Sequence, residues 1–188
     1  MRLFVALDIP DAVRRALREL MARLKPECEG ARWVRPEGMH ITLKFLGETD
    51  EAKLDSIRAA LSSIHSGQAV ESHFRGIGFF PNEFHPRVVW CGIEASPNLP
   101  QMAADVDRAL QPFGFPAESH PFTPHLTLAR FNSHKGLDTL VRAANNLKSY
   151  DFGSARGSEV HLYQSVLKPS GAEYTRLATF PFAKEGAA

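Results

Sequence analysis

His125-Leu126-Thr127-Leu128-Ala129-Arg130 is the stretch that decides the fold, because its first four residues repeat the pattern of His40-Ile41-Thr42-Leu43. Successive side chains of a β-strand point to opposite faces, so the histidine and threonine of each H-x-T-L tetrad share one face. A single tetrad is more often a half-exposed strand with a polar face, but duplication reverses that preference. If the two strands lie side by side in a folded sheet, two imidazoles and two hydroxyls form one anion site.

The residues after each tetrad are also similar, which extends the repeat. The segments 51–57 and 134–140 both open a helix-like pattern, so each copy is predicted to be a strand, a loop and a helix. Hydrophobic periodicity and turn residues predict the other elements. Strands are expected near 3–7, 31–34, 39–46, 69–74 with a glycine-spaced run at 76–80, 87–93, 152–156, 160–165 and 174–180, and helices near 11–24, 51–64, 99–110 and 136–147. Strands interleaved with four helices, without a glycine-rich phosphate loop after the first strand, favour an α+β fold.

Composition limits the class of function. The 188 residues are 44% hydrophobic and 23% charged, as in an ordinary globular protein. The 22 basic and 21 acidic residues are scattered and give a net charge of +1, so no extended nucleic-acid surface is expected, although a ligand with few phosphates is compatible. Cys28 and Cys91 lack C-x-x-C spacing, which fits a reducing cytoplasm. We expect no signal peptide, because the apolar start is too short for one, and no stretch reaches membrane-spanning length.

A metal site is not expected from the histidines outside the tetrads. They have no paired ligand spacing, and each is expected to be a surface or strand-face residue. Two of them flank the second tetrad and can lie near a site there. These histidines include His73, His85, His120, His134 and His161, of which His120 and His134 are the flanking pair.

The chain resembles the bacterial RNA 2′,3′-cyclic phosphodiesterases, also called 2′-5′ RNA ligases, within the 2H phosphoesterase superfamily. The resemblance spans residues 2–182 and is most specific in the paired tetrads. It also includes the segments 2–7, 86–90, 128–130 and 165–174. It implies an α+β bilobal fold in which two antiparallel β-sheets, related by a pseudo-twofold axis, flank a central cleft with helices on the outer faces. We expect one domain of two interleaved lobes over residues 1–184, followed by a loose tail at 185–188.

The chemistry can be argued from the residue types. Opening a cyclic phosphodiester requires a base that takes a proton from water and an acid that protonates the leaving ribose oxygen. Histidine suits both tasks, because its unperturbed pKa of about 6.5 allows one imidazole to be neutral and another charged near pH 7. The resemblance assigns His125 as the base and His40 as the acid, although sequence parity allows the reverse. Thr42, Thr127 and Arg130 are expected to hold the phosphate oxygens.

The resemblance also implies the ligands and the cellular setting. The expected partners are RNA ends or small nucleotides with a 2′,3′-cyclic phosphate, opened to a 2′-phosphate, with reversible 2′-5′ ligation as an accompanying activity. The family uses no metal and no nucleotide cofactor. We expect a cytoplasmic monomer. Two other hypotheses are a phosphodiesterase for another cyclic or 2′-5′-linked nucleotide, and a non-catalytic module that binds RNA ends. Histidine in both tetrads argues against the module, because binding alone does not require two titratable groups.

Four side chains near the tetrads can lie either in the cleft or away from it. Strict alternation puts Arg130 on the apolar face, so it reaches the cleft only if the strand ends or bulges near Ala129. Phe45, Phe79 and Phe131 could stack on a nucleobase, but the sequence favours core or lobe packing for all three.

Overall fold

The computed structural model describes residues 1–28, 30–132, 136–169 and 171–183. Within these ranges the strands are β1 (Arg2–Leu7), β2 (Ala31–Trp33), β3 (Ile41–Glu48), β4 (Val70–Phe80), β5 (Val88–Ala95), β6 (His125–Phe131), β7 (Asp151–Gly157), β8 (Glu159–Lys168) and β9 (Gly171–Pro181). The α-helices are α1 (Asp11–Leu24), α2 (Leu54–Ser62), α3 (Asn98–Leu110) and α4 (Leu137–Asn145). The predicted α+β class is confirmed, and the predicted elements differ from the observed ones mainly at their ends.

The nine strands within the described residues form two antiparallel sheets. The first sheet has the order β3-β1-β8-β9, and the second has the order β2-β6-β5-β4-β7. One tetrad strand therefore belongs to each sheet, as expected for two related lobes. The chain crosses repeatedly from one sheet to the other, so that neither sheet is built from one continuous half of the sequence.

The helices pack against the sheets and share their core. Helices α1 and α4 contact strands of the second sheet, whereas α2 and α3 contact strands of the first sheet. Helix α1 illustrates how hydrophobic periodicity predicts a helix, because its apolar residues at helical spacing are all buried. These residues are Val13, Leu17, Leu20 and Leu24. A core cluster of buried side chains includes residues from both sheets and from all four helices. This shared core fixes the position of one sheet relative to the other.

The glycine-spaced run at 76–80 belongs to β4 and does not form a separate strand. A register shift lies between Arg75 and Ile77, and the intervening Gly76 has a positive φ of 73°. Gly78 is pressed against the indole of Trp90, since a Cβ there would lie 2.3 Å from the ring. These glycines allow a long strand to bend and an aromatic ring to approach its backbone closely.

Candidate active site

Both tetrads line a single cleft of about 770 Å³. Its wall includes His40 and Thr42 from the first sheet and His125 and Thr127 from the second. Arg130 also lines it. The residues that the sequence singled out are therefore neighbours in space, although the two tetrads are far apart in the chain.

The two histidines are held in the same way. His40 Nδ1 lies 2.9 Å from the carbonyl oxygen of Gly38, and His125 Nδ1 lies 2.8 Å from that of Thr123. A carbonyl oxygen only accepts, so Nδ1 carries the proton in both rings. In the neutral form each Nε2 then has a lone pair. The carbonyl two residues earlier thus sets the tautomer of both rings.

Gly38 has a second role beside its hydrogen bond to His40. A Cβ at this position would lie 2.2 Å from the ring of Tyr174, which lines the cleft. The Tyr174 ring in turn contacts the His40 imidazole at a centroid distance of 5.7 Å. A side chain at residue 38 would displace the tyrosine and with it one wall around His40.

The same bulge occurs in both tetrads and explains the position of Arg130. In the first sheet Val5 pairs with Lys44 and Ala6 with Thr42, which leaves Leu43 as an extra residue. In the second sheet Val89 pairs with Ala129 and Trp90 with Thr127, which leaves Leu128 as an extra residue. Each bulge lies at the leucine of its tetrad. The residues after it change face, so Arg130 joins the face of His125 and Thr127.

The bulge makes one sequence expectation wrong. Strict alternation places Phe45 with the core and Lys44 with the polar face, but Phe45 is 65% exposed and lines the cleft, whereas Lys44 is 3% exposed. Phe45 is the counterpart of Arg130, because both lie two residues after the tetrad leucine. Phe79 and Phe131, the other two candidates for stacking, are buried as expected.

Buried Lys44 links β3, which carries the first tetrad, to the loop that precedes β6, which carries the second tetrad. Its Nζ donates to Asp107 Oδ1 at 2.5 Å and to the carbonyl oxygen of Pro116 at 2.9 Å. It also lies 3.4 Å from Glu118 Oε1. Asp107 belongs to α3, and Glu118 lies in the loop before β6, part of which forms the cleft wall. This ion pair therefore helps to fix the width of the cleft.

A polar network lies beside Nε2 of His40, and it was not predicted from the sequence. The carboxylate of Asp8 accepts hydrogen bonds from Tyr163 Oη at 2.5 Å and from Arg176. His40 Nε2 lies 3.9 Å from Asp8 Oδ1, and His161 Nε2 lies 3.6 Å from Asp8 Oδ2. Asp8 directly follows a buried strand, which was the one signal in the sequence. Its partners come from β8 and β9, and no local pattern in the sequence indicates that β8 pairs with β1 and β9 with β8.

Burial and charge act in opposite directions on this network. Burial lowers the pKa of His40, whose side chain is 6% exposed, and the Asp8 carboxylate opposes part of that effect. Burial likewise lowers the pKa of His161, again against Asp8. Burial and the hydrogen bond to Asp8 raise the pKa of Tyr163 to about 12. Tyr163 therefore stays a neutral hydrogen-bond donor at physiological pH.

His125 has a different environment from His40. Its ring is nearly perpendicular to that of Phe80, at a centroid distance of 5.0 Å, and Phe80 packs against Trp90 at 5.2 Å. The two imidazoles thus share a backbone anchor but differ in their neighbours, with a carboxylate near His40 and aromatic rings near His125. This asymmetry allows similar groups to perform opposite proton transfers.

The other five histidines considered in the sequence analysis are dispersed. His73 pairs with Asp151 at 2.9 Å, His85 is exposed, and His120 lines the cleft. His161 is a strand residue but is buried beside Asp8, and His134 lies outside the described residues. Among the residues that the structure describes, no group of three or more His, Cys, Asp or Glu side chains could hold a metal ion.

None of the helices within the described residues combines the length and apolarity that crossing a bilayer requires.

The arrangement can bind an anion and move two protons. Two imidazoles, two hydroxyls and a guanidinium line one cleft, and the groups come from two different sheets. Hydroxyl and guanidinium donors match the non-bridging oxygens of a phosphate, while the imidazoles can exchange protons with groups on either side of it.

Comparison with known proteins identifies relatives over nearly the whole chain. The family model described as LigT like Phosphoesterase matches residues 7–90 and again 93–174, and each match contains one tetrad. The RNA 2′,3′-cyclic phosphodiesterase of Archaeoglobus fulgidus is 36% identical over 181 residues, which is 96% of this chain and 99% of the relative.

Two solved structures have the same fold. The crystal structure of TT0787 of Thermus thermophilus is 31% identical with a TM-score of 0.80, covering 97% of this chain and 98% of that chain. The crystal structure of E. coli LigT complexed with 3′-AMP is 26% identical with a TM-score of 0.78, covering 96% of this chain and 97% of that chain.

Proposed function

Because the chain belongs to the LigT-like phosphoesterase family, we propose that His40 and His125 act as the acid and base that open the 2′,3′-cyclic phosphate at an RNA end. The protein is an RNA 2′,3′-cyclic phosphodiesterase, a hydrolase of phosphoric diesters. Its ligands are nucleotides or RNA, and E. coli LigT, a relative of the same fold, has been crystallised with 3′-AMP.

The observation that carries the proposal is the matched anchoring of the two histidines in one cleft. Each donates Nδ1–H to the carbonyl two residues earlier, which leaves Nε2 for proton exchange. Such anchoring by a second hydrogen bond is typical of histidines that must keep one tautomer and orientation. A merely structural pair of histidines would not need the same restraint at equivalent positions of two lobes.

The reaction needs two proton transfers around one phosphorus atom. His125 Nε2 takes a proton from water as the water oxygen bonds to phosphorus. The bond from phosphorus to the 3′-oxygen breaks, and His40 gives a proton to that oxygen, leaving a 2′-phosphate and a 3′-hydroxyl. The 5′-hydroxyl of a second RNA in the place of water would give a 2′-5′ linkage by the same transfers. Running that reaction backwards cleaves the linkage.

The other cleft residues bind the substrate. Thr42, Thr127 and Arg130 donate to the non-bridging oxygens, where negative charge accumulates as water attacks. The exposed ring of Phe45 offers an apolar surface for the base of the terminal nucleotide. Because all these groups come from one chain, we propose that the monomer is active. We also propose a cytoplasmic location, which the buried thiols of Cys28 and Cys91 suit.

The acid role of His40 depends on its charged neighbours. Burial lowers the pKa of His40, which by itself favours the neutral ring. Asp8 and the bound phosphodiester anion both favour the imidazolium, so substrate binding supplies part of the proton affinity that an acid requires. His125, which has aromatic neighbours, is assigned as the base. The reverse assignment predicts a different change in the pH profile when Asp8 is neutralised.

The direct test uses purified protein, a 2′,3′-cyclic mononucleotide and an RNA that ends in the same group. His40→Ala and His125→Ala should each reduce turnover by roughly 10²-fold or more. The double variant should be little worse than either single one, since the pair acts as a unit. His85→Ala is the matched control, because His85 is exposed and does not line the cleft.

The outcomes also separate the alternatives. Near-normal turnover in either single variant would reject the assignment. Binding of the RNA end without any turnover by the wild type would favour the binding module. Turnover of another cyclic or 2′-5′-linked nucleotide at a much higher rate would favour the second phosphodiesterase hypothesis.

A further inference from the structure

Two arginines lie on adjacent strands of the second sheet, one in the cleft wall and the other at the edge of the sheet. Arg32 of β2 lies directly opposite Arg130 of β6 in the antiparallel ladder, and both are exposed. Residues opposite each other in such a pair have their side chains on the same face. Ala31 and Trp33, the neighbours of Arg32, pack against the core, so Arg32 points away from the core and shares the face of Arg130. One face therefore presents two guanidinium groups on adjacent strands.

This pairing is unfavourable unless an anion binds there. Like charges directly opposite each other in a sheet are destabilising, and natural sheets favour opposite charges at such positions. Among the described residues, no carboxylate lies within ion-pair distance of Arg32 or Arg130, whereas several other arginines have such partners, including Arg14, Arg18 and Arg176. The two positive charges are left for a ligand.

We propose that Arg32 binds the phosphate that joins the terminal nucleotide of an RNA substrate to the preceding nucleotide. This inference rests on the function proposed above, in which Arg130 holds the cyclic phosphate. Neighbouring strands are about 4.8 Å apart, so Arg32 lies one strand farther out than Arg130, toward a second phosphate of the same chain. Arg32 therefore makes the enzyme prefer an RNA end over a free cyclic nucleotide.

The edge of the sheet supports the choice of RNA as the ligand. Strand β2 is the outermost strand beside β6 in the second sheet, so no further strand of the described chain covers the outer side of Arg32. The cleft also extends to Val34, the residue after β2. A polynucleotide whose last nucleotide is in the cleft can leave over this edge. A mononucleotide without a 5′-phosphate has nothing for Arg32 to bind.

The experiment measures kcat/KM for Arg32→Gln on three substrates. These are 2′,3′-cyclic AMP, the same nucleotide with a 5′-phosphate, and a short RNA that ends in a cyclic phosphate. The loss on the RNA should exceed the loss on 2′,3′-cyclic AMP by about 10-fold, as expected for one charge-assisted phosphate contact. The slope of log(kcat/KM) against log salt for the RNA should also become shallower by about 0.7.

Two variants control for nonspecific effects of charge. Arg15→Gln removes the same charge from an exposed position on α1 and should not change the ratio between RNA and 2′,3′-cyclic AMP. Arg32→Lys should recover part of the loss, because it restores a positive charge without the planar guanidinium.

The outcomes distinguish this inference from the proposed function. Equal losses on all three substrates, or no loss on RNA, would reject the role of Arg32 while leaving the phosphodiesterase mechanism intact. A loss restricted to the 5′-phosphorylated mononucleotide would reject RNA as the ligand in favour of a free nucleotide. A wild-type protein that hydrolyses none of the three substrates would instead reject the proposed function.

Discussion

Asp8→Asn removes one negative charge near His40 and should change its proton affinity in a measurable direction. The asparagine keeps the size of the side chain and can still accept the hydrogen bond from Tyr163. Asp8 Oδ1 lies 3.9 Å from His40 Nε2. At about 4 Å two unit charges interact by about 1 kcal/mol in water and by about 4 kcal/mol at the effective dielectric near a protein surface.

The expected shift lies toward the lower end of that range. Asp8 is 36% exposed and is also neutralised by Arg176, while His40 itself is well buried. An interaction of about 1–2 kcal/mol corresponds to about one pKa unit. The pKa of His40 should therefore fall by about one unit in Asp8→Asn. Other charged or titratable groups around His40 are Arg14 on α1 and His161 on β8, and both disfavour its charged form.

The assay has two parts, of which the first follows the ring signals of His40 by NMR as a function of pH. Asp151→Asn is the matched control, because Asp151 pairs with His73 and does not line the cleft, so it should leave the pKa of His40 unchanged. An unchanged or higher pKa of His40 in Asp8→Asn would refute the electrostatic reasoning.

The second part is the dependence of kcat on pH, which should be bell-shaped because one imidazole must be neutral and the other charged. If His40 is the acid, the lower pKa in Asp8→Asn moves the alkaline flank to lower pH and leaves the acidic flank in place. If His40 is the base, the acidic flank moves instead. The flanks report apparent values of the coupled pair, so the comparison rests on which flank moves.

Three further predictions concern the cleft and its support. Phe45→Ala should raise KM for a cyclic nucleotide by about 10-fold with a smaller effect on kcat, as expected for loss of one stacking surface in steady-state kinetics. Asp107→Ala should lower the free energy of unfolding by about 3–5 kcal/mol, because it leaves Lys44 buried without its main partner. Lys44→Met should lower the free energy of unfolding by much less, since it leaves no buried charge. Equal losses of stability for the two variants in urea unfolding would contradict this account. Burial lowers the pKa of His40 and His161, so the unfolded chain binds protons more readily than the folded chain below about pH 6.5. The free energy of unfolding should therefore fall as the pH decreases through this range. A free energy of unfolding from urea titrations that stays constant between about pH 7.5 and 5.5 would contradict this prediction.

The order of strands and helices could be predicted because hydrophobic periodicity records which face of each element is buried. Helix α1 is one example, since its four apolar residues at helical spacing are among those that the structure buries. The pairing of the tetrads in one cleft could also be predicted, because the repeat itself implies two equivalent strands. Both inferences use local patterns or a comparison of one segment with another.

The two tetrad bulges could not be placed from periodicity alone. An extra residue in one strand changes which side chains follow on each face, and its position depends on hydrogen bonding with the neighbouring strand. This is why Phe45, which was expected to pack in the core, is exposed in the cleft, while Lys44 is buried. Only Arg130 indicated a bulge, near Ala129, because strict alternation places this residue on the face away from the cleft.

The network around Asp8 was missed for a related reason. Its members lie far apart in the chain, as the hydrogen bond between Tyr163 and Asp8, 155 positions apart, shows. A sequence read in order contains no signal that β8 lies beside β1 with this register. Long-range strand pairing, which depends on the whole core, decides which residues lie beside His40.

The most direct test of the central claim follows the opening of an RNA 2′,3′-cyclic phosphate by ³¹P NMR in the presence of EDTA. The account predicts that wild-type protein converts the cyclic phosphate to a 2′-phosphate at a rate that chelation does not change, and that His40→Ala and His125→Ala each nearly abolish the conversion. Loss of activity on chelation that a divalent ion restores, or a 3′-phosphate product, would contradict the two-histidine mechanism with His40 as the acid and His125 as the base.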